Sequence, residues 1–410
     1  MPLWCYMKFF TTKKKRIYLD YAAATPVRSA VLAVMQPYDR DLFANPSAIH
    51  AQGVAARQAI DTAREKLART LKIRPSGIIF TGSGTESNNL AILGTVQARH
   101  AAGGAYADME VVATEIEHPS VSQVLVHLTT LGVQVRYVAV DTEGSVHVDA
   151  LREVLSNKTV LVSFAYVNSE IGTVQEVGKL TRIVRAAEKE YDTRIVVHID
   201  AAQAPLWLPC QLDALQVDIL TLDAGKCYGP KGVGVLAMRH GVVLSSVSYG
   251  GSQESGLRPA TENTGGIIGA VEALCIAQAG YSQRAATTAL LRDIAIAQLC
   301  NINGVVLNGS SSLRVANNIN ISIPGIDSEF AVISLDAAGI ACSTKSACSG
   351  ASGDGSAVVQ VISGSLERAT STIRFTLGEE TSAQELSKTA AVLKQHVLKM
   401  RAAQARLTAD

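Results

Sequence analysis

Between about residue 55 and residue 240, short apolar, β-rich runs alternate with longer helical patterns, and this alternation restricts the possible folds most. The spacing predicts strands over 78–80, 111–114, 133–140, 160–167, 195–199, 218–222 and 233–238, with helices such as 55–71 and 177–191 between them. Strands that are apolar almost throughout must be covered on both faces, so the expected class is α/β, a mostly parallel sheet flanked by helices. Ligands of such sheets sit beyond the carboxyl ends of the strands. That is where this chain places its polar residues.

Past residue 265 the pattern changes. A helical stretch over 264–279 leads into another over 282–299, followed by strands around 318–323 and 372–377 and a C-terminal helix. This predicts a smaller α+β unit. A chain of 410 residues also exceeds the size at which one core keeps growing. The expected division is a tail over 1–16, a large domain over 17–265 and a small domain over 266–410. The Gly/Ser-rich run 348–357 reads as a mobile loop.

The formal net charge is +1, which leaves no basic footprint for nucleic acid or a membrane surface. No apolar run approaches the ~20 residues that cross a bilayer. Seven scattered cysteines, without a CxxC pair or an HExxH helix, suggest neither a disulfide framework nor a metal site. A reducing, cytoplasmic setting is the expectation. In residues 1–16 the basic run follows the aromatic patch, the reverse of a secretory signal, so this segment is read as a surface tail, with Met7 an alternative start to Met1.

Three places carry candidate chemistry. The strand at 78–80 runs into Thr81-Gly82-Ser83-Gly84-Thr85-Glu86-Ser87 and then a helix-forming stretch. Such a turn lets backbone N–H groups converge on an anion, helped by the helix dipole, although glycine can also serve the turn geometry alone. It is not a Walker loop, and as a dinucleotide fingerprint it would need Ser87 to be glycine. Asp200 ends the strand at 195–199, where a carboxylate can hold a cofactor's ring nitrogen protonated or simply cap the segment after it. Lys226 follows the strand at 218–222, where a lysine can form a Schiff base and shuttle protons, or be a solvated turn lysine.

Taken in order, the glycine turn, His118, Asn168, Asp200, Gln203 and Lys226 resemble the cysteine desulfurase (NifS/IscS-like) branch of the class V aminotransferases. The resemblance covers nearly the whole chain from about Ile17. It rests on LDYAAATP at 19–26, NPSAIH at 45–50, TESNN at 85–89, EHPSV at 117–121, VNSEIGTVQ at 167–175 and HIDAAQ at 198–203. It continues through KCYGPKG at 226–232, GGSQESGLRPATEN at 250–263, SACSG at 346–350 and STIRFTLG at 371–378. The resemblance implies the fold type I architecture of pyridoxal-phosphate (PLP) transferases and conversion of L-cysteine to L-alanine. It makes Lys226 the residue of the internal aldimine and the proton shuttle, sets His118 over the pyridine ring and pairs Asp200 with the pyridinium nitrogen. Gln203 and Asn168 would meet the ring's phenolic oxygen or the substrate, Gly84 and Thr85 the phosphate, and Arg374 the substrate carboxylate. Thr261 would reach the phosphate of a neighbouring subunit, which implies a homodimer. Cys348 would take the sulfur as a persulfide and hand it to an acceptor protein for iron–sulfur cluster assembly or tRNA thiolation.

Three departures from the family pattern stand out. Asp223-Ala224-Gly225-Lys226 replaces the usual Ser-Gly-His-Lys or Ser-Ala-His-Lys, removing two phosphate donors and placing a carboxylate near a dianion. Lys231 is the expected compensating cation, unless Asp223 turns away. Lys345 stands where glycine is usual before the nucleophile, and an ammonium there would favour a thiolate. Ala260 replaces the glycine before Thr261, restricting a backbone that glycine leaves free. The competing readings are another class V activity (an aminotransferase or a selenocysteine lyase), a docking subunit that has lost activity, and, more distantly, a nicotinamide enzyme. An aminotransferase has no need of Cys348, and the intact Lys226, Asp200, His118 and Arg374 speak against a docking subunit.

Overall fold

A computed structural model describes residues 16–344 and 355–407. Its strands in chain order are β1 (Ile17–Tyr18), β2 (Ile78–Thr81), β3 (Glu110–Thr114), β4 (Gln134–Val138), β5 (Thr159–Ala165) and β6 (Val196–Asp200). They are followed by β7 (Ile219–Asp223), β8 (Gly234–Met238), β9 (Val306–Leu307), β10 (Asn318–Ser322), β11 (Ile340–Ala341) and β12 (Thr372–Thr376). The large sheet has the order β2-β8-β7-β6-β5-β3-β4. Only β8 runs against its neighbours, so β2, β3, β4, β5, β6 and β7 all point the same way.

The alternation in the sequence is the physical cause. Strand β5 is buried from Thr159 to Phe164, and its inward polar residue, Ser163, is hydrogen-bonded to His198 on β6. Helix Val177–Glu190 buries Val177, Leu180, Val184 and Ala187, a three-to-four-residue stripe facing the sheet. Helix Ala51–Leu71 starts where His50 Nδ1 accepts the Gly53 N–H and stops at Lys72, which is left-handed. Helix Gly84–Ala101 follows β2 directly and packs across β5 to β8.

Two smaller sheets, β12-β10-β9 (antiparallel) and β1-β11 (parallel), share a second hydrophobic cluster. Ile17 and Leu19 belong to that cluster, although they lie far ahead of its other members in the sequence. Residues 264–300 differ from expectation: one continuous helix, Thr264–Cys300, replaces two. Glycine in a helix costs only ~1 kcal/mol, and here Gly280 has a use. The Arg284 guanidinium folds back over it, donating to the carbonyls of Ala277 and Leu206 and pairing with Glu379 at 2.8 Å. A Cβ on Gly280 would meet Arg284 Nη2 at 3.0 Å. The helix therefore carries Ile267, Val271 and Leu274 in the large sheet's core and Ala295 and Leu299 in the second cluster.

Ala260 has φ +102°, far from the left-handed well that non-glycine residues tolerate. Its N–H donates to Gln253 Oε1 at 3.2 Å, a side chain that holds the loop in this conformation. Ala260→Gly should stabilise the protein by about 1 kcal/mol, the relief of ~1–3 kcal/mol of strain less the entropy glycine adds to the unfolded chain. The urea midpoint should rise; a lower one would show that the loop carries no such strain.

Candidate active site

Six strands share a direction and end at one edge of the sheet, and five of these endings, after β2, β3, β5, β6 and β7, deliver polar residues. After β2, Ser83 caps the helix by accepting the Glu86 N–H at 3.1 Å, while the Glu86 carboxylate accepts the Gly82 N–H and pairs with Arg258 at 3.0 Å. This is a capping box drawn around a glycine turn. The N–H groups of Gly84 and Thr85 open the helix and have no intrahelical acceptor, so they and the helix dipole face the sheet edge. Gly234 on β8 lies so close that a Cβ would come within 2.3 Å of the Ser83 carbonyl, so only glycine fits there.

After β3, His118 caps helix Pro119–Thr130, its Nδ1 accepting the Ser120 N–H at 3.1 Å. Its side chain is within electrostatic reach of Lys226, Asp200, Asp223 and Arg374. Burial, and then the Lys226 ammonium, hold its pKa below the ordinary range. After β5, Asn168 Oδ1 accepts from the N–H groups of Glu170 and Ile171, and Nδ2 donates to the Ile116 carbonyl at 2.8 Å. It fastens the loop after β5 to the loop after β3.

At the end of β6, Asp200 makes the cap that its place in the sequence allows. Oδ1 accepts the Ala202 N–H at 2.9 Å, capping the turn, and Oδ2 accepts from Asn88 Nδ2 at 2.8 Å. Gln203 then donates to the Ala22 carbonyl at 3.0 Å. At the end of β7, Asp223 Oδ1 accepts the Gly225 N–H at 2.9 Å. Asp223 does not turn away from the glycine turn: its Oδ2 lies 3.1 Å from where a Cβ on Gly84 would be. Lys231 does not offset it either, because the Lys231 ammonium donates to the Thr25 carbonyl at 2.7 Å. The Lys226 amine makes no hydrogen bond or ion pair with any described residue, so it is uncommitted. Arg374 enters from β12 and is buried, with Nη2 paired to Asp20 at 2.9 Å and Nη1 donating to the Ser169 carbonyl at 3.0 Å. Its Nε is buried without a partner among the described residues.

A cleft of about 440 Å³ opens beside this cluster, lined by Thr85, Asn89, His118, Gln123 and His127 among others. Thr261 is exposed in the loop that follows Ala260. Cys348 and Lys345 lie outside the described residues. Four groups that hold the site together were not singled out in the sequence: Asp20, Asn88, Glu117 and Ser120. Each stands inside one of the family-like motifs, which is the only signal that points to it.

The arrangement fits pyridoxal phosphate at its ring end: a carboxylate, an imidazole and an uncommitted amine share the sheet edge. A helix start offering free N–H groups is beside them, with Asp223 as the discordant member. Residues 17–388 match the model of the family described as aminotransferase class-V. The chain belongs to that family, whose members are PLP enzymes. It is 40% identical over 389 residues, 95% of its own length and 96% of the relative's, to a protein of Dictyoglomus turgidum named cysteine desulfurase IscS. A solved NifS-like protein superposes with a TM-score of 0.85 at 32% identity, over 93% of this chain and 99% of that one. SspA solved in complex with cysteine superposes at 0.75 and 32% identity, over 89% and 100%.

Glu117, beside His118, is buried, with Oε1 accepting from Thr114 Oγ1 at 2.6 Å. Burial pushes its pKa up to about 8 against the Thr114 hydrogen bond, and repulsion from Asp200 adds to the rise. The folded state thus holds a proton that the unfolded chain releases near the ordinary 4.5, so Glu117 costs stability increasingly as pH rises from 4.5 to about 8. Glu117→Gln mimics the protonated form. Relative to the parent it should gain stability over that window, at up to ~1.4 kcal/mol per pH unit. Urea unfolding at pH 5 and pH 8.5 measures this; an equal gap at both would show that Glu117 is ionised in the fold.

Proposed function

We propose that this chain is a PLP-dependent cysteine desulfurase acting on L-cysteine. The observation that carries the reading is the convergence of His118, Asp200 and the uncommitted Lys226 amine at one sheet edge, with Arg374 near enough to act on His118. When bound, the cofactor supplies an electron sink for bonds at the substrate carbon. Asp200 would hold the ring nitrogen protonated, Lys226 would bind the cofactor and move protons, and His118 would cover the ring. Gln203 and the second N–H of Asn168 would meet the phenolic oxygen or the substrate. Gly84 and Thr85 would hold the phosphate, with Thr261 of a second subunit in a homodimer. Arg374, its orientation fixed by Asp20 and Ser169, would offer its remaining N–H groups to the substrate carboxylate.

In sulfur transfer the substrate C–S bond breaks, an S–S bond to Cys348 forms, and the carbon left behind takes up a proton, giving alanine and a persulfide. A protein acceptor serving iron–sulfur cluster assembly or tRNA thiolation would remove the sulfur, in the cytoplasm. No helix among the described residues is long and apolar enough to cross a membrane. A large domain over 17–265 and a small one over 266–410 are part of this proposal; two hydrophobic clusters support a division in two, with Ile17 and Leu19 packed in the second and Ile267, Val271 and Leu274 in the first.

Two variants divide cofactor binding from sulfur transfer. Lys226→Ala should lose both the visible absorbance of the PLP-loaded protein and turnover of L-cysteine. Cys348→Ser should keep that absorbance while alanine and persulfide production fall by roughly two orders of magnitude or more. Undiminished alanine release from Cys348→Ser would remove Cys348 from the mechanism. Cys342 is a poor substitute, because burial pushes its pKa up to about 12.

Asp223 sets the second test. A carboxylate against the helix start opposes a bound phosphate, and the donors usual at 223 and 225 are missing. Each hydrogen bond to a charged group is worth about 1.5–3 kcal/mol, and each ~1.4 kcal/mol is a tenfold step in affinity. Asp223→Ser with Gly225→His should therefore slow PLP loss during dialysis against L-cysteine at least tenfold. Equal rates of loss would show that other groups already hold the phosphate.

A further inference from the structure

Two residues that touch no substrate group in the reading above connect its two ring-facing side chains. Asn88 is buried on helix Gly84–Ala101, and its Nδ2 donates to Asp200 Oδ2 and to Ser120 Oγ, both at 2.8 Å. Ser120 Oγ lies 2.7 Å from His118 Nδ1, and the Ser120 N–H donates to that same nitrogen at 3.1 Å.

The donor and acceptor inventory orders this chain in one direction. An ionised Asp200 only accepts, so Asn88 must turn its amide nitrogen toward it; the other orientation would set two oxygens against each other. That choice leaves Asn88 Oδ1 buried without a partner among the described residues and spends the second amide proton on Ser120 Oγ. Having accepted there, the hydroxyl directs its own proton to His118 Nδ1. The backbone N–H of Ser120 already points at the same lone pair. Nδ1 therefore cannot carry a proton, and the neutral ring carries it on Nε2.

We propose that Asn88 and Ser120 are positioning residues that hold His118 as the neutral Nε2–H tautomer and tie that tautomer to the ionised Asp200. The charged groups around the imidazole act with them. Lys226 and Arg374 oppose a proton on His118, while Asp200 and Asp223 favour one. The neighbouring Glu117 is held largely neutral below pH 8. The relay prevents the nearby carboxylates from drawing a proton onto Nδ1. The ring then presents a fixed N–H donor on Nε2 rather than a variable charge.

The consequence for turnover rests on the cysteine desulfurase reading, whereas the tautomer can be measured on the full-length apoprotein without cofactor or cysteine. Nitrogen-15 NMR of His118 across a pH titration should show Nε2–H in the wild type, with a midpoint below the ordinary 6.5. Ser120→Ala removes one of two donors to Nδ1 and should raise the midpoint by about half to one pH unit. Asn88→Ala frees the Ser120 hydroxyl to rotate and should raise it in the same direction. Ser120→Thr, which keeps the hydroxyl, should restore the wild-type value. A protonated Nδ1 in the wild type, or a midpoint unmoved by both alanine variants, overturns the proposal. If an alanine variant fails to fold, the wild-type tautomer and Ser120→Thr still decide it. Wild-type Nε2–H in a protein that makes no alanine from cysteine would overturn the functional reading and leave this one standing.

Discussion

A carboxylate can remain ionised at the buried end of a strand only if hydrogen bonds replace the water it gives up. Asp200 meets that condition with one N–H from its own turn and one from Asn88, and much of the site follows from it. Asn88 must lie on the helix after the glycine turn, so that helix must pass close to the end of β6. The close approach of Gly234 to Ser83 lets β8 and the turn pack that tightly. The parallel register then places His118, Asn168 and Lys226 at the same edge without further instruction. A single buried charge thus explains why the polar residues of this sheet edge form one network.

The same edge shows the opposite solution at Asp223. There the carboxylate is only half-buried, and one oxygen is satisfied by the Gly225 N–H, while the other faces the helix start at Gly84. A helix N-terminus stabilises an anion, so Asp223 is at ease there in the absence of another anion. Its comfort is the source of its conflict with a phosphate. A Cβ on Gly225 would be 3.2 Å from Asp223 Oδ1 and no closer than 3.7 Å to Lys231, so a side chain there needs that carboxylate to shift slightly.

How much was legible in the sequence divides along physical lines. Period and composition located the strands of the large sheet to within a few residues, because a strand covered on both faces leaves an apolar run that needs no tertiary knowledge. The strand ends also pointed to Asp200 and Lys226. The break expected between 279 and 282 is absent: the helix runs on through Gly280, where a guanidinium four residues on occupies the space a side chain would need. Ile17 and Leu19 in the second cluster depended on pairing across more than 300 residues, which local pattern cannot encode. Asn88 and Ser120 were invisible for a related reason. A buried amide and a hydroxyl in helices look like ordinary polar residues until their partners on other elements are known.

Arg374 shows how the smaller sheets take part in the site. It is fully buried on β12, and a buried guanidinium must be paired to be tolerated. Asp20 supplies the charge from the segment after β1, and the Ser169 carbonyl supplies an acceptor from the loop after β5. Its Nη2 is thus tied to the segment after β1 and its Nη1 to the loop after β5. Both anchors must be in place before its remaining N–H groups face the cluster. A change in how β12 sits against the large sheet would therefore reach the substrate end of the site through Arg374. The ring end, held by Asp200, Asn88 and Ser120, would keep its geometry, because all three belong to elements of the large sheet and its helices.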